Sequence, residues 1–353
     1  MSISRVDLPQ GLLLANQMTS AVIPQPRINR RKVIYSTLST EAMQYMVERH
    51  YDMPGFVECK LYQRGLNDTY LVSTAAGDYA LKIYRSSWRT RQAILAELAA
   101  IEHLDCHDIP VAKGVPRKDG RLSTSISAPE GKRHAVLFRW LQGHAPAYTD
   151  PAETRQLGSS VARLHAAGDS LAPNPALRCL DFDYLVNQPL RHIRQRVKYL
   201  PSITARLNAL ADRMCRRFDK ANASLADWGF CHGDIWSNNA LLDGNRLVIF
   251  DFDWCGSGWR VLDIAAFRWH TRYVGVEQVA WRPFIEGYLK VRPEGVRLLE
   301  CVPLFMIIRH LWVLSIWIGL AEETGISAHS ESYFAKSLAF CEHIEADAAG
   351  EWI

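Results

Sequence analysis

The stretch CHGDIWSNNALLDGNRLVIFDFDWCGSGWRVLDIAAF, residues 231–267, constrains this chain more than any other. Asp234, Asp243, Asp251 and Asp253 all precede Asp263 within it, and two of its segments, ALLDGN and RLVIFDF, have the composition of short buried strands. Carboxylates beside buried strands cost free energy unless something positive meets them. Any fold of this chain must therefore bring positive charge to this segment.

The 353 residues are 48% hydrophobic and 22% charged, ordinary globular composition, and their number predicts two lobes rather than one core. A net charge of +4 without clustered Lys and Arg gives no reason to expect nucleic acid or membrane as a partner. The eight cysteines are scattered with no CxxC pair, which argues against a zinc ribbon and for reduced thiols in a cytoplasmic protein. The N-terminus has one short apolar patch, GLLLA, and no sustained hydrophobic region of a signal peptide. Residues 302–321, VPLFMIIRHLWVLSIWIGLA, are interrupted by Arg309 and His310, so a buried helix is expected there rather than a membrane span.

Residues 1–35 lack periodicity and read as an arm or weakly ordered leader. A helix is expected over 39–51 with Ser39 as N-cap. FVECKLYQRG, TYLVST and DYALKIYR then alternate as strands, separated by the turn residues GLND and AAGD. A helix over 89–104 follows, then two more strands, one near the turn at Asp119 and Gly120 and one in RHAVLFRWL (133–141). From about residue 150 the pattern is mostly helical, including two basic amphipathic helices around Pro201 whose charges read as a solvated face. The expected class is α+β: a small antiparallel-sheet lobe over 36–138 and a large, mainly helical lobe over 139–353.

Asp234 followed five positions later by Asn239, in a loop, and then by Asp251 after an apolar run is an arrangement suited to phosphoryl transfer. One aspartate accepts the proton of an attacking hydroxyl, while the asparagine and the second aspartate hold Mg²⁺ on the ATP phosphates. The alternative is that HGD and DFD are turn residues bonding the local backbone. Upstream, Lys82 lies in a strand and Glu97 in the helix after it; a strand lysine with a helix glutamate and the phosphates as counter-charges fits the same chemistry.

HGDIWSNN, VIFDFD and WRVLDIA, preceded by YALKIYR and AILAELAAIEHL, resemble the aminoglycoside phosphotransferase and choline kinase superfamily, from about residue 56 to residue 270. Within it the motifs are most similar to the branch of type II homoserine kinases and the bacterial stress-response Ser/Thr kinase. The resemblance implies a two-lobed, protein-kinase-like fold that binds ATP and Mg²⁺. It implies Asp234 as catalytic base, Asn239 and Asp251 as metal ligands, and Lys82 and Glu97 as the pair that positions ATP. LFRWLQG (137–143) would be the hinge that meets the adenine, and Gly65, Asn67, Asp68 and Thr69 the phosphate contacts of a glycine-poor loop. It also implies structural parts for Asp263 and His232 in shaping the catalytic loop. His165 reads as a packing residue, and Asp253 is left between assisting the metal and capping the next turn.

The acceptor follows less directly. Trp236, Trp254, Trp259, Trp269, Trp312 and Trp317 gather in the helical half, as core or as an aromatic wall for a substrate. Only about a dozen residues separate Asp251 from Asp263, too few for a long activation loop, which favours a small hydroxyl compound (amino alcohol, hydroxy amino acid, sugar or aminoglycoside). A protein Ser/Thr acceptor is the alternative. A pseudokinase scaffold is disfavoured because every expected catalytic position is filled.

Overall fold

A computed structural model describes residues 33–350 apart from 56, 87, 222–226 and 326–328, so residues 1–32 of the expected arm lie outside the described residues. Helix α1 (Thr40–His50) starts where Ser39 caps it, the Ser39 hydroxyl accepting from Ala42 N at 3.2 Å. Strands β1 (Glu58–Arg64), β2 (Asp68–Thr74) and β3 (Gly77–Tyr84) form an antiparallel meander. Helix α2 (Arg91–Cys106) intervenes before β4 (Ser123–Ala128) and β5 (Gly131–Arg139), giving a five-stranded antiparallel sheet of order β1-β2-β3-β5-β4.

The period of two along β3 sorts its side chains. Leu81 and Ile83 join Val72, Ala135 and Leu137 in a core with Met43, Met46 and Val47 of α1. Ala80 and Lys82 face the opposite way, into the cleft below the sheet. Arg133 on β5 is fully buried; its Nη2 pairs with Asp68 of β2 at 2.9 Å and also donates to the Ile83 carbonyl, while Nη1 and Nε donate to the carbonyls of Ser36 and Tyr84. The Tyr35 hydroxyl donates to the other oxygen of Asp68 at 2.5 Å, so this pair ties the segment before α1 to the sheet. Arg133→Met should leave Asp68 charged and unpaired in the core, lowering stability by about 3–5 kcal/mol in denaturant unfolding.

The larger lobe begins with α3 (Pro151–Ala167), capped by Asp150, and continues through β6 (Arg178–Leu180), α4 (Gln188–Val197) and α5 (Pro201–Ala221). β7 (Trp228–Cys231), the hairpin β8 (Ala240–Asp243) and β9 (Arg246–Ile249), and β10 (Gly256–Trp259) carry the segment of clustered aspartates. β10 pairs parallel with β6 and antiparallel with β7, a three-stranded sheet the sequence pattern did not predict. Helices α6 (Val261–Tyr273), α7 (Glu277–Val291), α8 (Val302–Gly319), α9 (Ala321–Thr324) and α10 (Glu331–Gly350) complete the chain. The helical stretch Pro293–Gly319, which ends in α8, is long and apolar enough to span a membrane by composition, yet it is mostly buried, with α8 running through the lobe's core as expected. The basic face of α5 is not simply solvated: Arg206 pairs with Glu342, and Arg213 and Arg217 with Glu345, both on α10.

Candidate active site

β7 delivers the chain into the loop of residues 232–239, and the β8–β9 hairpin returns it, with Ala240 opposite Ile249. That return puts Asn239 beside Phe250, whose N–H donates to the Asn239 carbonyl at 3.0 Å, and so brings Asp251 alongside the loop. The loop is held by Asp263, wholly buried on α6, whose carboxylate accepts from the backbone N–H of His232 at 2.8 Å and of Gly233 at 2.7 Å. Gly233 has φ +82°, and a Cβ there would collide with the carbonyl of Trp254, so the sharp turn before Asp234 requires glycine. His165 on α3 bridges Asp263 (2.9 Å from Nε2) and the Tyr288 hydroxyl (2.9 Å from Nδ1). Burial holds the His165 imidazole below its ordinary pKa against the pull of Asp263, so it is neutral; Nε2–H donates and Nδ1 accepts. His232 accepts from Asp234 N at Nδ1 and donates from Nε2 to the Phe250 carbonyl at 3.0 Å, stitching the two acid-bearing segments together.

Asp234 is partly exposed in the cleft between the lobes. Asn239 Nδ2 donates to both its carbonyl (2.8 Å) and its Oδ2 (3.0 Å), and its Oδ1 pairs with the guanidinium of Arg309. Arg309, only 5% exposed on α8, also donates to the Gly233 carbonyl at 2.6 Å and lies over the rings of Trp312 and Trp269, 4.9 and 5.6 Å from their centroids. Sequence reasoning missed Arg309 as a site residue, noting it only as an obstacle to a membrane span; the signal was an arginine inside an apolar helix, which needs a carboxylate.

Lys82 Nζ lies 2.6 Å from Asp251 and 2.6 Å from Asp253, and these two carboxylates hold its ammonium well above the ordinary lysine pKa in spite of burial. The expected Lys82–Glu97 ion pair is therefore not formed. Glu97 instead accepts from the Tyr84 hydroxyl at 2.9 Å and pairs with Arg89 at 3.2 Å, and burial pushes its carboxyl up to about 7 against the pull of Arg89. A desolvated ammonium takes the nearest carboxylates, and here those are the two acids of DFD. Glu97 still lines the same cleft as Lys82.

Asp253 neither caps the following turn nor faces the cleft as a free ligand: Oδ1 accepts from Lys82, Oδ2 from Asn67, and its carbonyl from Arg89 and Arg178. It thereby anchors the loop between β1 and β2 to the acid motif. Gly65, Asn67 and Thr69 border the cleft, whereas the side chain of Asp68 turns inward to Arg133. Asp251 has φ +63°, left-handed backbone rare for a non-glycine residue, and its carboxylate is 43% exposed.

Two confluent spaces open here. One, about 510 Å³, runs beneath Ala80 and Thr69 past Phe138, Trp140 and Leu141 of the expected hinge and over Leu241 and Phe250. The other, about 400 Å³, holds Asp234, Asp251, Asp253, Lys82 and Arg309 beside the loop of residues 65–69. Of the six tryptophans, Trp236, Trp254 and Trp317 border these spaces, whereas Trp312 is buried and Trp259 and Trp269 pack against the core.

A five-stranded sheet clamped over a helical lobe, with lysine, acids and asparagine gathered in the cleft between them, defines a protein-kinase-like fold. The family model "APH: Phosphotransferase enzyme family" matches residues 60–294, and the chain belongs to that family. An uncharacterized protein of Deinococcus radiodurans is 34% identical over 314 residues, covering 87% of this chain and 90% of that protein. The homoserine kinase of Neisseria meningitidis serogroup B is 26% identical over 271 residues, covering 74% and 82%. Among solved structures, an amicoumacin kinase in complex with AMP-PNP and Ca²⁺ superposes with a TM-score of 0.70 at 20% identity, covering 88% of this chain and 94% of that one. The chain is thus an enzyme of the phosphotransferase class, with kinases of small molecules among its relatives.

Proposed function

We propose that the chain transfers the γ-phosphoryl group of ATP to a hydroxyl of a small molecule, with Mg²⁺ as the required ion. The convergence of Asp234, Asn239, Asp251 and Lys82 on one interlobe cleft carries this reading. The apolar slot beneath Ala80 and beside Phe138 and Leu141 suits a flat adenine, and the loop of residues 65–69 borders the space its phosphates would enter.

The donor set fits a hard divalent cation. Asn239 spends its Nδ2 on Asp234 and keeps Oδ1 available, and the Asp251 carboxylate is open to the cleft beyond its contact with Lys82. Among the described residues no three His, Cys, Asp or Glu side chains form a self-contained cage, as suits Mg²⁺, which keeps waters and substrate phosphates in its coordination shell. Bound there, the ion would neutralise charge on the transferring phosphate.

Asp234 is the base in this reading. Arg309 and Asn239 fix its carboxylate, so an acceptor hydroxyl reaching Oδ2 finds an oriented proton acceptor without reorganisation. Lys82, held at the cleft by Asp251 and Asp253, is placed to meet the phosphates as a cation. Glu97 stays held by Arg89 and Tyr84 and lines the cleft beside it. A small acceptor is favoured over a protein side chain because the space beside Asp234 is walled by Trp254, Arg309 and the end of α8. The free cysteines fit a reducing, cytoplasmic setting.

The reading is tested by ATP consumption over a panel of hydroxyl compounds with a protein control; turnover of the protein alone would reverse it. Asp251→Asn should weaken Mg²⁺-dependent ATP binding by roughly tenfold or more in calorimetry. An affinity equal to wild type at every Mg²⁺ concentration would remove Asp251 from the metal site.

A further inference from the structure

Strand β1 does not alternate regularly. Up to Leu61 it keeps register with β2, Cys59 opposite Val72 and Leu61 opposite Tyr70; then Gln63 falls opposite Thr69, and Tyr62 is an extra residue with no partner across the ladder. This is a β-bulge, which bends a strand and re-aims its side chains. A period of two from Cys59, which packs in the core shared with α1, would send Gln63 to that same core face. The bulge shifts the phase by one, and Gln63 joins Thr69 on the cleft face instead. Tyr62 and Gln63 therefore enter the cleft in succession, Tyr62 lining the larger space and Gln63 lining both.

There Tyr62 meets Trp140 edge to face, with ring centroids 4.9 Å apart and the planes at 82°. The Trp140 N–H donates to the Asp78 carbonyl at 3.0 Å, which fixes the backbone that carries its ring. Tyr62 is 58% exposed, a large aromatic surface left to water at the mouth of an apolar slot. β1 is an edge strand, and a bulge that served only to blunt its pairing edge would need no aromatic residue turned into the cleft. Two perpendicular rings make a corner. A flat base lying parallel to one of them presents its edge to the face of the other, and these are the two arrangements aromatic groups prefer. Deeper in, Ala80, Phe138, Leu241 and Phe250 continue the slot with apolar surface.

We infer that Tyr62, aimed by the bulge and backed by Trp140, selects the phosphoryl donor: it closes over the nucleobase at the mouth of the slot and makes the nucleoside half of the donor a condition of tight binding. The inference rests on the kinase reading of the same cleft. Tyr62 borders the larger space and not the smaller one that holds Asp234, so its contact is with the donor and not with the acceptor hydroxyl.

Calorimetry on the full chain tests it, with AMP-PNP and Mg²⁺, with adenosine, and with tripolyphosphate and Mg²⁺ as the base-free probe. Tyr62→Ala is expected to weaken AMP-PNP and adenosine alike by roughly tenfold, the scale of one lost base–aromatic contact, and to leave tripolyphosphate unchanged. Tyr62→Phe, which keeps the ring, should bind both within about twofold of wild type. Trp140→Leu should weaken adenosine as well, and unchanged binding there would overturn the paired corner. Wild-type affinity for AMP-PNP in Tyr62→Ala overturns the proposal and leaves the kinase reading standing. An equal loss for tripolyphosphate also overturns it, since the change would then act through the strand and its phosphate loop. So does a full loss in Tyr62→Phe, because the ring would not be the cause. Failure of the wild-type chain to bind AMP-PNP at all overturns the kinase reading, and this inference with it.

Discussion

Asp234→Asn is expected to lower phosphoryl transfer roughly a thousandfold, with ATP affinity changed less than about twofold, because the lost group acts on the acceptor's proton and not on the nucleotide. The amide fills the space of the carboxylate and can still accept from Asn239, so the loop should keep its shape. Removal of the charge has a second consequence. Arg309 is buried and Asp234 is its ion-pair partner, so the variant should also be less stable, since a buried charge left unpaired is costly. The two effects separate in a double variant. Arg309→Met in the Asp234→Asn background should recover stability without recovering transfer. Single-turnover kinetics and thermal unfolding read the two quantities independently. Wild-type transfer by Asp234→Asn would exclude Asp234 as the base.

The coupling between Asp234 and Arg309 also marks the limit of what the sequence discloses. Asp234, Asn239 and Asp251 are legible because a loop and one tight hairpin join them, so their spatial proximity is encoded in their spacing. Lys82 is legible as cleft-facing because β3 alternates strictly, with Leu81 and Ile83 on the other face. The partners of these groups are not local. Arg309 comes from a helix 75 residues beyond Asp234, and Asn67 meets Asp253 across 186 residues. No spacing rule anticipates either contact. Glu97 shows a related failure: Lys82 was the plausible partner by order along the chain, but Arg89 and Tyr84 reach it from the same side of the sheet while Asp251 and Asp253 claim the lysine. Charges choose by distance, and distance is tertiary. The sheet of β6, β7 and β10 was missed for the same reason, its strands being three or four residues long, with glycines in β10 and no periodic signal to read.

Asp263→Ala should be the most damaging substitution outside the cleft. It would strip three buried donors of their acceptor at once: the N–H groups of His232 and Gly233 and Nε2–H of His165. Each orphaned donor costs about 1–3 kcal/mol, so a loss of roughly 3–5 kcal/mol and a Tm lower by roughly 10 °C are expected in thermal unfolding. Because the first two donors belong to the turn that presents Asp234, transfer should fall even at temperatures where the variant is folded. A pH series distinguishes this electrostatic latch from mere packing. Burial alone would raise the Asp263 carboxyl, but His165 and the Gly233 N–H outweigh it and hold the pKa below the ordinary aspartate value. A carboxyl depressed on folding stabilises the protein above its unfolded pKa, near 3.9, and that stabilisation is lost as pH falls through the lower folded value. Wild type should therefore lose stability on acidification below about pH 4 more steeply than Asp263→Asn, which carries no titrating group at this position. If the two acid limbs were parallel, Asp263 would not be the charged anchor of the loop and the ordering of Asp234 would have to come from packing alone.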